Sequence, residues 1–147
     1  MNDNYDVLVV GAGVIGTGIA RELSQYKVDV AVLEKEPDVG WGTTKANSGI
    51  VHAGYDAKPG TVKASFSASG NKKYEEWVEP LSVPFKRIGS FVSTKDISQL
   101  GKLRELKEQG EENGVERLEI IQGKAKIRDL EPNISEEVEA VLHAPTA

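Results

Sequence analysis

No cysteine occurs among the 147 residues, which excludes disulfides, thiolate metal ligands and a cysteine nucleophile. Histidine is nearly as scarce: there are two, His52 and His143, and they leave little for a zinc site. Positive charge is also short, with 18 Lys and Arg against 23 Asp and Glu and a net charge of -5. A chain without a basic face has little means of displacing counterions from nucleic acid, so nucleic-acid binding is not expected. Long apolar runs are missing as well. The longest, residues 7–16, is far too short to span a bilayer, and the acidic start carries acid where a signal peptide carries base. The default location is therefore the cytoplasm.

What is present suits one ordinary globular domain. The chain is 39% hydrophobic and 28% charged, and at this length it is expected to bury roughly 70% of its unfolded surface.

The order of elements is readable from the amino end. Residues 7–10 form a short continuous run rich in β-branched side chains, which reads as a strand buried on both faces of a parallel sheet. It leads into Gly11-Ala-Gly13-Val-Ile-Gly16, after which Ile15, Ile19, Ala20 and Leu23 recur at helical spacing until about Tyr26. Residues 28–33 read as a second strand that ends at Glu34 and Lys35 before the breaker Pro37. Together these form a βαβ unit, right-handed by the general rule.

Residues 37–60 then scatter glycines among Thr43, Thr44, Asn47 and Ser48, a composition suited to lining a ligand. Thr61 is placed to cap a helix whose buried stripe is expected at Val62, Phe66, Tyr74, Trp77 and Leu81. A change of texture near Pro84 marks the expected domain boundary. Beyond it, residues 88–94 read as a strand, and Asp96 with Gln99 as a capping box. The helix that follows carries a stripe of Ile97, Leu100, Leu103 and Leu106. Its charges are balanced in sign, which favours core packing over a membrane surface. A strand at 118–122, a short helix at 124–130 and a strand at 138–144 complete the chain.

The glycine spacing has a physical reason at each position. Gly11 permits the tight turn out of the strand, Gly13 lets backbone approach a pyrophosphate, and Gly16 lets the helix pack against the sheet. The first-turn amides and the helix dipole then face phosphate charge. Glu34 follows 18 positions after Gly16, at the end of the next strand, where a carboxylate can accept hydrogen bonds from a ribose. The same charge would repel a ribose 2′-phosphate, so NADP is disfavoured, while NAD and the ADP half of FAD remain open. His52 is the candidate for acid–base chemistry, because imidazole titrates near neutral pH. It comes with no partner base or orienting acid, and a hydrogen bond to backbone is the simpler role. Lys45 and Lys63 are available as point charges for phosphate, although surface lysines usually only solvate.

The stretch Gly42-Thr-Thr-Lys-Ala-Asn-Ser-Gly-Ile-Val-His-Ala-Gly-Tyr-Asp56, with residues 58–64 after it, resembles the amino-terminal part of FAD-dependent glycerol-3-phosphate dehydrogenases of the anaerobic type. These belong to the D-amino-acid-oxidase-like flavoprotein group, which includes 2-hydroxyglutarate oxidases. Residues 84–91 and 128–132 extend the resemblance along essentially the whole chain.

The resemblance implies an α/β fold, with a Rossmann-like FAD-binding part over residues 1–83 and the beginning of an α+β substrate domain over 84–147. It implies FAD held by Gly11, Gly13 and Gly16 at the pyrophosphate and by Glu34 at the adenosine ribose, with Lys35 beside it. Thr43, Thr44, Asn47, Ser48 and Gly49 are implied along the pyrophosphate and flavin. The chemistry implied is two-electron oxidation of an alcohol carbon in a small molecule. Hydride passes to flavin N5, and electrons leave to a quinone or a partner subunit, peripheral to a membrane in some settings.

Some relatives attach flavin through histidine, whereas non-covalent flavin is the expectation here. Members of the group are much longer chains, so the fold is expected to be incomplete and to self-associate. Such a chain should bind FAD weakly through its ADP half and should not turn over glycerol 3-phosphate. Two alternatives stay open, a non-catalytic dinucleotide-binding module and an NAD-dependent dehydrogenase domain.

Overall fold

A computed structural model describes residues 4–147, which divide into two compact units, one ending at Gly49 and the other spanning Ile50–Ala147. The division by compactness differs from the change of texture at Pro84: residues 62–78 lie in the same unit as the chain beyond it.

The first unit is a βαβ arrangement. Strand β1 (Val7–Val10) runs parallel to β2 (Val30–Leu33), with Val7 opposite Val30 and Val10 opposite Leu33. Helix α1 (Val14–Leu23) connects them, entered through Gly13 in an extended conformation and closed by Ser24, whose hydroxyl donates to the Arg21 carbonyl. The expectation that β1 is buried on both faces is not met. Val9 is buried, but Leu8 is exposed and Val10 is 80% exposed. Among the described residues β1 pairs with β2 alone, and Leu8, Val10 and Leu33 on one face are exposed while Val9 on the other is buried.

The second unit is built on an antiparallel sheet in the order β3-β5-β4, comprising β3 (Ser90–Thr94), β4 (Glu119–Gln122) and β5 (Ala140–Ala144). Side chains alternate across a strand, so the central β5 feeds two cores. Ala140, Leu142 and Ala144 pack with Leu103 and Leu118 on one face. Val141 packs with Ile121, Ile127 and Val138 on the other. Helix α4 (Leu100–Glu112) contributes Leu103 to the first face, and α5 (Lys124–Leu130) contributes Ile127 to the second.

Two helical expectations need correction. Thr61 does cap α2 (Val62–Lys72), accepting from the Ala64 amide at 3.2 Å, and α3 (Tyr74–Val78) follows directly. The buried face of α2, however, is Ala64, Ala68 and Asn71, whereas Val62 and Phe66 are 74% and 71% exposed. Backbone closeness explains the reversal. A side chain on Gly54 would begin 3.1 Å from the Ala68 amide nitrogen, so α2 is approached too closely for large residues on that face. Leu81 is likewise exposed, and Tyr74 and Trp77 are half-buried.

At the entry to α4, Asp96 accepts from the Ser98 amide at 2.9 Å and the Ser98 hydroxyl at 2.7 Å. Gln99 does not complete a box and instead accepts from Lys102 at 3.2 Å. Ile97 lies in a 3-10 turn and is exposed, so the stripe begins at Leu100. Among the described residues no helix is long and apolar enough to cross a membrane.

Candidate functional site

The glycine loop between β1 and α1 has one backbone requirement and one packing requirement that only glycine meets. Gly11 sits at φ +98°, in the left-handed region that side chains resist, and its amide donates to the Leu33 carbonyl at 2.7 Å. Gly16 lies against the same turn: a Cβ there would fall 1.9 Å from the Gly11 carbonyl oxygen. Strand, turn and helix are therefore locked at the distance of a bare backbone.

Glu34 closes the loop from the end of β2. One carboxylate oxygen accepts from the Ala12 amide at 2.7 Å, the other from the Glu36 amide at 2.9 Å. These two N–H groups, Glu36 first, hold its carboxyl below the usual glutamate range, so the group is an anion at neutral pH. Lys35 points to solvent and pairs with Glu36 at 3.5 Å.

The segment after β2 folds back onto this loop. The Gly40 amide donates to the Ala12 carbonyl at 2.8 Å, and residues 42–44 form a 3-10 turn. That turn brings the Thr44 hydroxyl to the Val14 amide at 3.0 Å, at the first residue of α1. Asn47 donates to the Thr44 carbonyl and accepts from the Gly49 amide at 2.7 Å, which folds residues 44–49 on themselves. Thr43 and Ser48 are exposed, and Lys45 lies over the Trp41 ring at 4.3 Å. A cleft of about 610 Å³ runs along the face of β1 to this point, lined by Gly11, Gly13, Val14, Gly16, Thr43 and Thr44 among others.

His52 belongs to the second unit. It is exposed, and its backbone carbonyl, rather than its ring, is engaged, accepting from Asn71 at 3.1 Å. His143 is half-buried in β5, edge-on to Phe91 at 5.0 Å. Burial pushes its imidazole down, against a smaller upward pull from Glu119. Lys63 pairs with Asp56 at 3.2 Å.

Sequence reading missed one polar cluster. Asn71, 5% exposed, donates to the carbonyls of His52 and Thr146 and accepts from Arg87 at 3.0 Å. Arg87 also grips the Asn71 carbonyl at 2.7 Å, the Thr146 carbonyl and both oxygens of Glu75. The one available signal was an asparagine at the spacing of Ala64 and Ala68 on the buried face of a helix.

A parallel strand–glycine turn–helix–strand unit with an acid closing the turn defines a dinucleotide-binding fold, and comparison with known proteins places it among the flavoproteins. The chain belongs to the FAD dependent oxidoreductase family, which it matches over residues 6–147. It is 52% identical over 142 residues to glycerol 3-phosphate dehydrogenase of Caloramator mitchellensis, covering 97% of this chain and 29% of that one. It is 28% identical over 144 residues to the mitochondrial L-2-hydroxyglutarate dehydrogenase of Dictyostelium discoideum, covering 97% of this chain and 32% of that one. Among solved structures it resembles dithionite-reduced L-α-glycerophosphate oxidase of Mycoplasma pneumoniae with FAD bound. There the TM-score is 0.83 and the identity 31%, over 95% of this chain and 37% of that one. The chain thus spans about a third of the length of these relatives.

Proposed function

We propose that this chain is the FAD-holding part of an oxidoreductase that oxidises an alcohol carbon in a glycerol 3-phosphate-like or 2-hydroxy acid substrate. The observation that carries the reading is the joint between Glu34 and the glycine loop: an anionic carboxylate at the end of β2, bonded to the Ala12 amide beside the turn. The loop fits a pyrophosphate. A side chain on Gly11 would meet nothing within 4 Å, so the turn is an open cradle, and the Val14 amide and Thr44 hydroxyl stand at its rim.

Gly11, Gly13 and Gly16 hold the pyrophosphate, Glu34 the adenosine ribose with Lys35 beside it, and Thr43, Thr44, Asn47, Ser48 and Gly49 the remainder toward the flavin. When bound, FAD supplies the two-electron acceptor. The chain's own part is to bind and orient. Glu34 offers lone pairs to the ribose hydroxyls, and the first turn of α1 offers positive potential to phosphate. Residues 1–83 then serve the cofactor and 84–147 begin the part that meets substrate. A cytoplasmic location, with electrons passing to a quinone or a partner subunit, follows from the same reading, and so does self-association through the bare face of β1 and β2.

The test is a visible spectrum and FAD titration of the purified chain, with ADP as competitor. Flavin bands that survive desalting and are displaced by ADP support the reading. Bleaching under anaerobic conditions by glycerol 3-phosphate or a 2-hydroxy acid is not expected of this chain alone, and would show that its substrate site is already complete. A chain that binds neither FAD nor ADP sinks the proposal, and one that binds NAD in their place turns it into a nicotinamide-dependent one.

A further inference from the structure

We propose that Asn113–Gly114 is a site of spontaneous deamidation that the fold holds shut, and that conversion there, once the chain has opened, permanently removes a clamp on residues 54–57. The site lies within the second unit and stands apart from the dinucleotide reading above.

Of the six asparagines in the chain, Asn113 alone precedes a glycine. Asparagine is thermolabile because the next backbone nitrogen can attack its side-chain carbonyl carbon, and glycine, with no Cβ, obstructs that attack least. The fold requires this glycine. Gly114 has φ +80° just past the end of α4, its amide donates to the Glu111 carbonyl at 3.0 Å, and the Val115 amide donates to the Gly110 carbonyl at 2.9 Å. These two bonds are the Schellman cap, which takes a left-handed residue at that position. Protection of Asn113 therefore comes from its own geometry.

The side-chain amide of Asn113 has two protons and donates both, to the Gly54 carbonyl at 3.0 Å and the Ala57 carbonyl at 2.7 Å. Its backbone is helical, φ -75° and ψ -3°, which holds the Gly114 nitrogen rotated away from the Asn113 Cβ, whereas ring closure needs the two eclipsed. Attacking nitrogen, leaving group and backbone are all committed elsewhere.

In the opened chain the Gly114 nitrogen bonds to Asn113 Cγ, the Cγ–Nδ2 bond breaks, and Nδ2 leaves as ammonia with the proton from the Gly114 nitrogen. Water then opens the ring and returns a proton to that nitrogen. Cleavage at Cγ gives an aspartyl residue, and cleavage at the main-chain carbonyl gives an isoaspartyl one. Nothing is oxidised or reduced.

Either product exchanges two donors for a carboxylate, which faces the carbonyls it must now replace as partners. It also sets an anion at the C-terminal end of α4, against the helix dipole, in a last turn that holds Glu111 and Glu112 and no basic residue. Residues 54–57 have no regular secondary structure, yet Gly54 and Ala57 are buried, so they depend on such bonds. Gln109 adds another, donating to the Tyr55 carbonyl at 2.8 Å. An opened chain that has converted cannot close this segment as before.

The test is peptide mass mapping of the 147-residue chain aged at neutral pH in buffer and in urea, reading the replacement of the Asn113 amide by a hydroxyl. Conversion should run at least about tenfold faster in urea, as for a reaction confined to opened chain, and should exceed that at the other asparagines there. Gln109→Met, which removes only the bond to Tyr55, should raise the rate in buffer and leave it unchanged in urea. Asn113→Asp, standing for the aspartyl product, should speed chymotrypsin cleavage after Tyr55 by about fivefold or more relative to cleavage after Phe91 in β3.

Equal rates in buffer and urea, or no conversion in either, would overturn the proposal. So would a cleavage ratio in Asn113→Asp equal to the parent's. If Asn113→Asp does not fold, the paired rates in the parent and in Gln109→Met decide, and a buffer rate in Gln109→Met equal to the parent's overturns the clamp.

Discussion

Strands β1 and β5 look alike as text, β1 four branched apolar residues and β5 four small or branched apolar residues interrupted by His143, yet their environments differ completely. In β5, flanked by β3 and β4 and covered on both faces, Ala140, Val141, Leu142 and Ala144 are fully buried. In β1, paired among the described residues only with β2, Val9 is buried while Leu8 and Val10 face solvent. An apolar run therefore states what a strand is able to bury. The number of neighbours decides what it does bury, and with it how much free energy the run contributes. The second unit holds itself together through burial; the first holds itself through backbone fit, at Gly11, Gly16 and Glu34.

The comparison breaks most visibly at β5. Leu142→Ala should cost about 2–5 kcal/mol in urea unfolding, because it empties a packed site, whereas Val10→Ala should stay within about 0.5 kcal/mol. Equal losses would mean that β1 is covered in solution as β5 is. Gly16→Ala comes next, at about 1–3 kcal/mol or more, since a methyl group 1.9 Å from the Gly11 oxygen forces the helix off the turn. Its damage should stay in the first unit. Amide exchange should quicken at residues 7–23 and remain unchanged in β5, and exchange that rises equally in both would show that the two units unfold together.

How much of this was legible in sequence follows the same line. The βαβ order, the Thr61 cap and the bounds of α5 were readable, because local spacing and capping chemistry set them. The buried face of α2 was not: periodicity picked out Val62 and Phe66, and nothing local says that Gly54 will approach Ala68 and reserve that face for alanine. The Arg87 cluster joins residues 52, 71, 75, 87 and 146, a set with no sequence spacing to recognise. At the candidate site the motif named Gly11, Gly13, Gly16 and Glu34. It could not show that Glu34 accepts from Ala12 or that Thr44 reaches Val14, since both bonds depend on chain folding back across 22 and 30 positions.

Arg87→Met sharpens the contrast at a smaller scale. It leaves Glu75 without its partner and returns the Asn71 and Thr146 carbonyls to other donors, so the second unit should lose stability, though less than with Leu142→Ala. Arg87 holds the Glu75 carboxyl below its usual range. A depressed carboxylate contributes stability above its unfolded value and loses it as pH falls through the folded one. The difference between parent and variant in urea unfolding should therefore be full at neutral pH and shrink in acid. A difference that persists unchanged in acid would assign the effect to lost packing alone.

The smallest expected effect belongs to Glu34 in the first unit, where the same sign of shift has a different source. Glu75 is held down by a guanidinium, whereas Glu34 is held down by the Glu36 and Ala12 amides, with Lys35 adding only a minor pull. Added salt should therefore relax the first shift more than the second, because salt screens a charge partner more effectively than it weakens a short backbone hydrogen bond. The measurement is a pH titration of the Ala12 and Glu36 amide resonances in the empty chain. Both should move together as Glu34 takes up its proton below the usual glutamate range, and both should stay flat in Glu34→Gln. With the anion lost, the loop loses its acceptor, so ADP affinity should hold through neutral pH and fall only in that acid range. Amide shifts that titrate at an ordinary glutamate value, or that persist in Glu34→Gln, would mean that the carboxylate does not close the glycine loop in solution.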